Sequence, residues 1–224
     1  ALEGVEQPPQ FHPEGDCWVH TRLVLEATGE APPPELAWAA LLHDIGKPPT
    51  FRRAERIRFD GHARLGAAMA ERVLVRLGAP RALRETVVEL VRDHLRFIEI
   101  RRMREARRKR FLLRPTAALH LALHRADCLG SHRRLDTWRW CVEQRARYER
   151  EREERGSAPL LTGRDLIAAG YRPGPAFGQI LRAVEDAQLE GALADRTEAL
   201  AWVRERFGPP PGPRPPERDA PRAR

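Results

Sequence analysis

Leu36-Ala37-Trp38-Ala39-Ala40-Leu41-Leu42-His43-Asp44-Ile45-Gly46-Lys47 is the stretch that decides how this chain folds. An unbroken apolar run with no polar face predicts a central, buried helix over residues 35–45. Gly46, with Pro48 beyond it, stops that helix. The run ends on an imidazole beside a carboxylate. Two ionisable groups there are costly unless hydrogen-bonding partners or a cation receive them. Helix neighbours point ~100° apart, yet a long imidazole and a short carboxylate converge where a helix ends. A single His-Asp pair is satisfied by an ordinary hydrogen bond, so the remaining histidines choose between the readings.

Working outward, His20 shares a helical face with Cys17 and Val24 and is expected to point inward. His94 ends an apolar stripe of Leu83, Val87, Leu90 and Val91, and His62 sits one turn before Leu65 and Met69. Asp127 follows Leu119 and Leu123 at i+8 and i+4. His20, His43, Asp44, His62, His94 and Asp127 therefore offer four imidazoles and two carboxylates from separate core faces. Such a set is hard to satisfy except mutually or by metal. Nitrogen and oxygen donors without thiolate suit Mn, Fe, Co, Ni or Zn, with Mg also possible. Six donors exceed one tetrahedral site, so one or two ions are expected.

The chain around this set reads as all-α. Asp16 caps a helix to about Thr28, and Pro32-Pro33-Pro34 breaks the chain before the buried run. A polar loop is expected next, then helices over 61–77, 80–94, 115–129, 135–155, 163–169, 175–188 and 195–207. Residues 98–110 are helical by propensity. No convincing two-residue alternation marks a strand. A helical domain over 11–155, a smaller helical extension over 159–207 and a disordered tail over 208–224 follow, since seven of the last 17 residues are proline.

Composition fits a soluble globular protein of 224 residues, 42% hydrophobic and 32% charged. No apolar run approaches the ~20 residues of a membrane span, and no leader-like start is seen. Three widely spaced cysteines, Cys17, Cys128 and Cys141, argue against a disulfide scaffold and for a reducing, cytoplasmic location. The net charge is +8 with a pI near 10.5, and only Lys47 and Lys109 of the 40 basic residues are lysine. Either genomic composition or a polyanionic partner explains that bias.

The spacing His…His-Asp…Asp resembles the HD-domain metal-dependent phosphohydrolases, and the added His62 and His94 resemble their two-metal members. Phe11-His12-Pro13-Glu14-Gly15-Asp16-Cys17-Trp18-Val19-His20-Thr21 is similar to the start of the HD region in bacterial tRNA nucleotidyltransferases and poly(A) polymerase-like proteins. The likeness continues through Leu41 to Lys47, Arg58 to His62, His124 to Leu129, Leu161 to Leu166, Gly174 to Gly178 and Glu185 to Gly191. It departs in the head: the Asp-x-Asp pair of a nucleotidyltransferase occurs nowhere, and Gly156-Ser157 lacks the carboxylates that should follow. Neither CCA nor poly(A) addition is expected from this chain, which starts at Ala1 and reads as a piece of a longer protein.

The resemblance implies a helical HD bundle and a hydrolase of phosphomonoesters or 2′,3′-cyclic phosphodiesters on nucleotides or RNA ends. It implies that His20, His43, Asp44 and Asp127 hold a first metal and that His62 and His94 complete a second, with His43, Asp44 and Lys47 as the catalytic group. Lys47 either steadies a phosphate or is a surface lysine past a helix end. His124, sharing a face with Asp127, is a candidate to support a ligand or touch substrate. His12 reads as a loop histidine, His120 as a hydrogen-bonded core histidine and His132 as a surface one. A Cys17-x2-His20 zinc half-site lacks a second half.

Arg101, Arg102, Arg104, Arg107, Arg108, Lys109 and Arg110 face a single Glu105, a local charge of +6. This segment is read either as a phosphate-tracking patch for RNA, tRNA included, or as a solvated face neutralised by the glutamates of 151–154. The alternative to the enzyme is thus an RNA-binding body with little hydrolytic activity.

Overall fold

A computed structural model of the chain describes residues 2–156 and 158–210. The expected Pro-rich tail lies, beyond Pro210, outside the described residues. Helices dominate: α1 (Cys17–Glu26), α2 (Pro34–Leu42), α3 (Lys47–Thr50), α4 (His62–Arg76), α5 (Arg81–Asp93), α6 (Arg96–Glu99), α7 (Glu105–Leu112), α8 (Ala117–Leu129), α9 (Asp136–Arg155), α10 (Gly163–Ala168), α11 (Pro175–Leu189) and α12 (Arg196–Phe207). No described helix is long and apolar enough to cross a membrane.

The chain divides into two compact units. The first runs to Met103 and resumes over Arg110–Glu151; the second takes Arg104–Lys109 and the chain from Arg152 onward. In the first, Asp16 caps α1 by accepting from the N–H groups of Trp18 and Val19 at 2.8 and 3.0 Å. Pro34 starts α2, where the missing N–H costs nothing. Leu36, Ala39, Ala40 and Leu42 of α2 are buried against Val24, Leu74, Leu90 and Leu123. The expected central helix is therefore central. A second apolar cluster gathers Phe97, Ile100, Phe111, Leu121 and Tyr148. In the second unit Thr162 and Asp165 form a capping box at α10, and Leu166, Ile180, Val184 and Val203 make its core.

Three local expectations need correction. The helix of residues 35–45 ends at Leu42, and His43 to Gly46 form a turn. The polar loop after it holds a short helix and an antiparallel ribbon, β1 (Phe51–Arg53) with β2 (Ile57–Phe59), paired Phe51 to Phe59, Arg52 to Arg58 and Arg53 to Ile57. Each strand is three residues long, too short for a two-residue alternation to stand out. Residues 98–110 are not one helix: after α6 come a 3-10 turn (Ile100–Arg102) and α7.

Candidate metal centre

Four helices and one turn deliver the six predicted side chains to one place. His20 comes from the first turn of α1, His43 and Asp44 from the turn after α2, and His62 from the first residue of α4. His94 caps the C-terminal end of α5, and Asp127 lies near the end of α8. They form two adjoining trios, His20-His43-Asp127 and Asp44-His62-His94, with the ligand atoms of each trio within 4.8 Å of one another. His20 Nε2 is 3.2 Å from His43 Nε2 and 3.2 Å from Asp127 Oδ1. Asp44 spans the trios: Oδ2 is 3.2 Å from His43 Nε2, and Oδ1 is 3.5 and 3.8 Å from the Nε2 atoms of His62 and His94.

The rings are aimed by their own helices. His43 Nδ1 donates to Ala40 O at 2.8 Å, His62 Nδ1 to Phe59 O at 2.8 Å and His94 Nδ1 to Val91 O at 2.7 Å. Each acceptor lies three residues back, and at α2 and α5 it is one of the carbonyls a helix end leaves unpaired. A carbonyl partner fixes the proton on Nδ1, so the lone pair sits on Nε2. Burial pushes the His62 and His94 imidazoles down, His94 to about 4, with the nearby His43 adding to it for His94. Both are therefore neutral, and their bare Nε2 atoms face each other 3.4 Å apart with Asp44 Oδ1 alongside. Three acceptors converge with no proton among them. Such an arrangement repels itself unless a cation sits between. The C-terminal ends of α2 and α5 add negative potential at the same point. The donor set fits a divalent ion, and on neutral imidazole and carboxylate it fits Mn, Fe, Co, Ni or Zn.

Burial pushes the carboxyls of Asp44 and Asp127 up, but neighbouring charges win and hold both ionised. For Asp44 these are His43 and Lys47; for Asp127, the His20 hydrogen bond and His43. Burial would lower His20, yet hydrogen bonds to Asp127 and Glu14 raise it to about 10.

Lys47 is not a surface residue. It is 4% exposed, its Nζ lies 2.7 Å from Asp44 Oδ2, and it donates to Gln7 Oε1. Glu14 is a participant the sequence reading missed. Its Oε1 accepts from His20 Nδ1 at 2.7 Å and from His12 Nδ1 at 2.8 Å, so it orients a trio member from behind. His12 is accordingly an inward-facing partner rather than an idle loop histidine, and burial, with Lys47 and His20 nearby, lowers it to about 4. The signal available for Glu14 was its place six residues before His20 in a turn-rich segment, which carries no periodicity.

His124 stands outside both trios, stacked flat on Phe97 with ring centroids 4.1 Å apart and beside Cys128 Sγ at 3.7 Å. His120 is a core histidine as expected, 3.1 Å from Glu89 Oε1, where Arg114 also binds Glu89 and Asp93 at 2.6 and 2.9 Å. That second carboxylate-histidine group already holds a cation, the guanidinium. Cys17 is buried in α1 without a metal-type grouping among the described residues.

The basic segment does not act as one surface. Arg101 donates to Asp136 O at 3.1 Å and lies 5.1 Å over Trp140, so an aromatic does accompany it. Arg102 and Arg104 are exposed and approach Glu99 and Glu190 at 3.7 and 3.6 Å. Lys109 is buried and donates to Leu189 O at 2.7 Å, which removes it from any phosphate-facing set. Arg107 is exposed, while Arg108 and Arg110 are half-buried.

Comparison with known proteins matches residues 18–131 to the HD domain family. The chain is 34% identical over 176 residues to an A-adding tRNA nucleotidyltransferase of Deinococcus radiodurans, covering 75% of this chain and 41% of that protein. It is 37% identical over 180 residues to a CC-adding tRNA nucleotidyltransferase of Thermus thermophilus, 76% of this chain and 40% of the relative. A multifunctional CCA protein of Methylococcus capsulatus is 32% identical over 218 residues, 88% of this chain and 47% of the relative. The matched region thus spans less than half the length of these relatives.

Proposed function

The chain belongs to the HD domain family, matched over residues 18–131, and on that premise we propose that it is a divalent-metal-dependent phosphohydrolase. Its substrates are phosphomonoesters or 2′,3′-cyclic phosphodiesters of nucleotides or RNA ends. The observation that carries this reading is the pair of bare Nε2 atoms of His62 and His94 facing each other across Asp44.

His20, His43 and Asp127 would hold one ion and His62 and His94 a second, with Asp44 shared between them. When bound, such ions supply electrophilic activation of a phosphoryl oxygen and of water. The protein's own groups set the stage. Lys47 keeps the shared carboxylate charged and fixed, and its ammonium adds positive charge beside a phosphoryl group. Glu14 accepts the Nδ1 proton of His20 and so aims Nε2 inward, where it carries a proton bonded to Asp127 that a bound ion would displace. Asp127, its side chain 28% exposed, marks the side from which substrate enters. We assign this role to a domain over 11–155, with 159–207 as a helical extension, in the cytoplasm.

The test is a hydrolysis screen of 2′,3′-cAMP, nucleotides and tRNA ends with Mn, Co or Ni. Turnover with at least one pair, abolished by EDTA and restored by added metal, is the expected result. No turnover with any substrate and metal would overturn the reading.

The relatives favour a second reading in which the chain is an RNA-binding body, with exposed Arg101, Arg102, Arg104 and Arg107 at tRNA phosphates. It predicts salt-sensitive tRNA binding that survives removal of the metal-binding side chains, with no turnover in the same screen.

A further inference from the structure

We propose that the arginine face of the β1–β2 ribbon, carrying Arg52 and Arg58, binds the phosphodiester backbone of an oligonucleotide whose end reaches the metal centre. The inference rests on the hydrolase reading and narrows its substrate from a mononucleotide to a strand.

Register places the two arginines. Arg52 pairs directly with Arg58, between the Phe51–Phe59 and Arg53–Ile57 pairs. Side chains alternate between the faces of a strand, so Arg52 and Arg58 share one face and the other four share the opposite one. Like charges directly opposite on a two-stranded ribbon destabilise it. Nothing in the fold offsets that here: both side chains are exposed, and among the described residues neither has an ion-pair or hydrogen-bond partner. Arg53, on the opposite face, is instead paired with Glu6. The connecting turn carries Glu55 beside Arg56, both exposed, so the excess positive charge rests on Arg52 and Arg58. An anion with several charges in a row answers this arrangement; a carboxylate of this chain does not.

The opposite face ties the ribbon to the metal centre. The Phe59 ring lies 5.3 Å from Lys47 Nζ and 6.3 Å from the His62 ring, and Phe59 O accepts the His62 Nδ1 proton. The arginine pair thus starts one residue from a group that aims a proposed metal ligand. A nucleoside monophosphate bound at the centre has no further phosphate to offer the ribbon, whereas a strand does. Guanidinium matches phosphate oxygens in a two-pronged geometry. Neither aromatic of the ribbon lies on the arginine face, so the contact is to backbone and not to bases.

The experiment measures binding of a labelled single-stranded RNA 12-mer to the full chain by fluorescence anisotropy, in EDTA, across a salt series. Arg52→Gln with Arg58→Gln is expected to flatten the slope of log affinity against log salt by about 1.4, at ~0.7 per phosphate contact, and to weaken binding about 25-fold near 0.1 M salt. Arg52→Lys with Arg58→Lys keeps the charges and is expected to keep the slope, which separates charge from folding. A slope in the glutamine variant equal to wild type overturns the inference. The binding assay needs no turnover, so the two readings fail separately. A flattened slope in a chain that hydrolyses nothing contradicts the hydrolase alone, and an unchanged slope in an active chain contradicts the ribbon alone.

Discussion

Asp44→Asn is expected to empty both halves of the metal centre at once and to lower kcat/KM by more than about 100-fold. The size follows from the position of one side chain: Oδ2 faces the first trio and Oδ1 the second, so no other residue is shared by both. Truncation to alanine adds a second effect. Lys47 Nζ, 2.7 Å from Asp44 and buried, would lose its counter-charge, and breaking a buried pair from one side costs about 3–5 kcal/mol. Asparagine keeps the shape and one hydrogen-bonding oxygen, so it separates loss of ions from loss of fold. Metal content per chain, kcat/KM and a thermal melt on Asp44→Asn and Asp44→Ala check this. Asparagine should melt closer to wild type than alanine while both lose metal. Wild-type metal content in the asparagine variant would refute a shared carboxylate.

Gly46→Ala carries the other large effect, and its cause is contact rather than backbone freedom. The φ of Gly46 is −82°, open to any residue, but a Cβ there would lie 2.2 Å from His62 O and 2.7 Å from Gly66 N. Both obstacles are backbone of α4, so the turn after α2 and the start of α4 must separate. Overpacking of this kind costs typically 1–3 kcal/mol and occasionally more; backbone on two sides puts this site near about 3 kcal/mol. At about 2–4 °C per kcal/mol for a chain of this size, the melting temperature should fall by about 10 °C. The shift also pulls His62 from His94, so metal content should fall with stability. Gly174→Ala is the control: its φ of 177° is extended, its nearest obstacle is 4.0 Å away, and it should stay within about 1 kcal/mol. Equal melting of Gly46→Ala and wild type would contradict the close approach.

The candidate cluster is legible in the sequence because most of its residues end or begin strongly apolar stretches, where a polar residue stands out. His20 between Cys17 and Val24, and His94 after Val87, Leu90 and Val91, are buried as their spacing requires. On α4 the larger apolar residues are not the packed ones. Leu65 and Met69 are only partly buried, while Ala63, Gly66, Ala67 and Ala70 form the packed face of α4. Small residues buried for close approach carry little hydrophobic signal. Glu14 and Gln7 were invisible for a different reason: they act from an irregular segment, where the fold and not periodicity decides direction. In the basic segment a charge count ignores burial. Lys109 spends its charge on Leu189 O, inside its own unit.

The most direct test of the account is anomalous diffraction at the manganese edge from crystals grown with Mn. One or two peaks lying among the Nε2 atoms of His20, His43, His62 and His94, and missing in Asp44→Asn, are the predicted result. Anomalous density confined to the Glu89-Asp93-His120 group, or none within reach of Asp44, would contradict it.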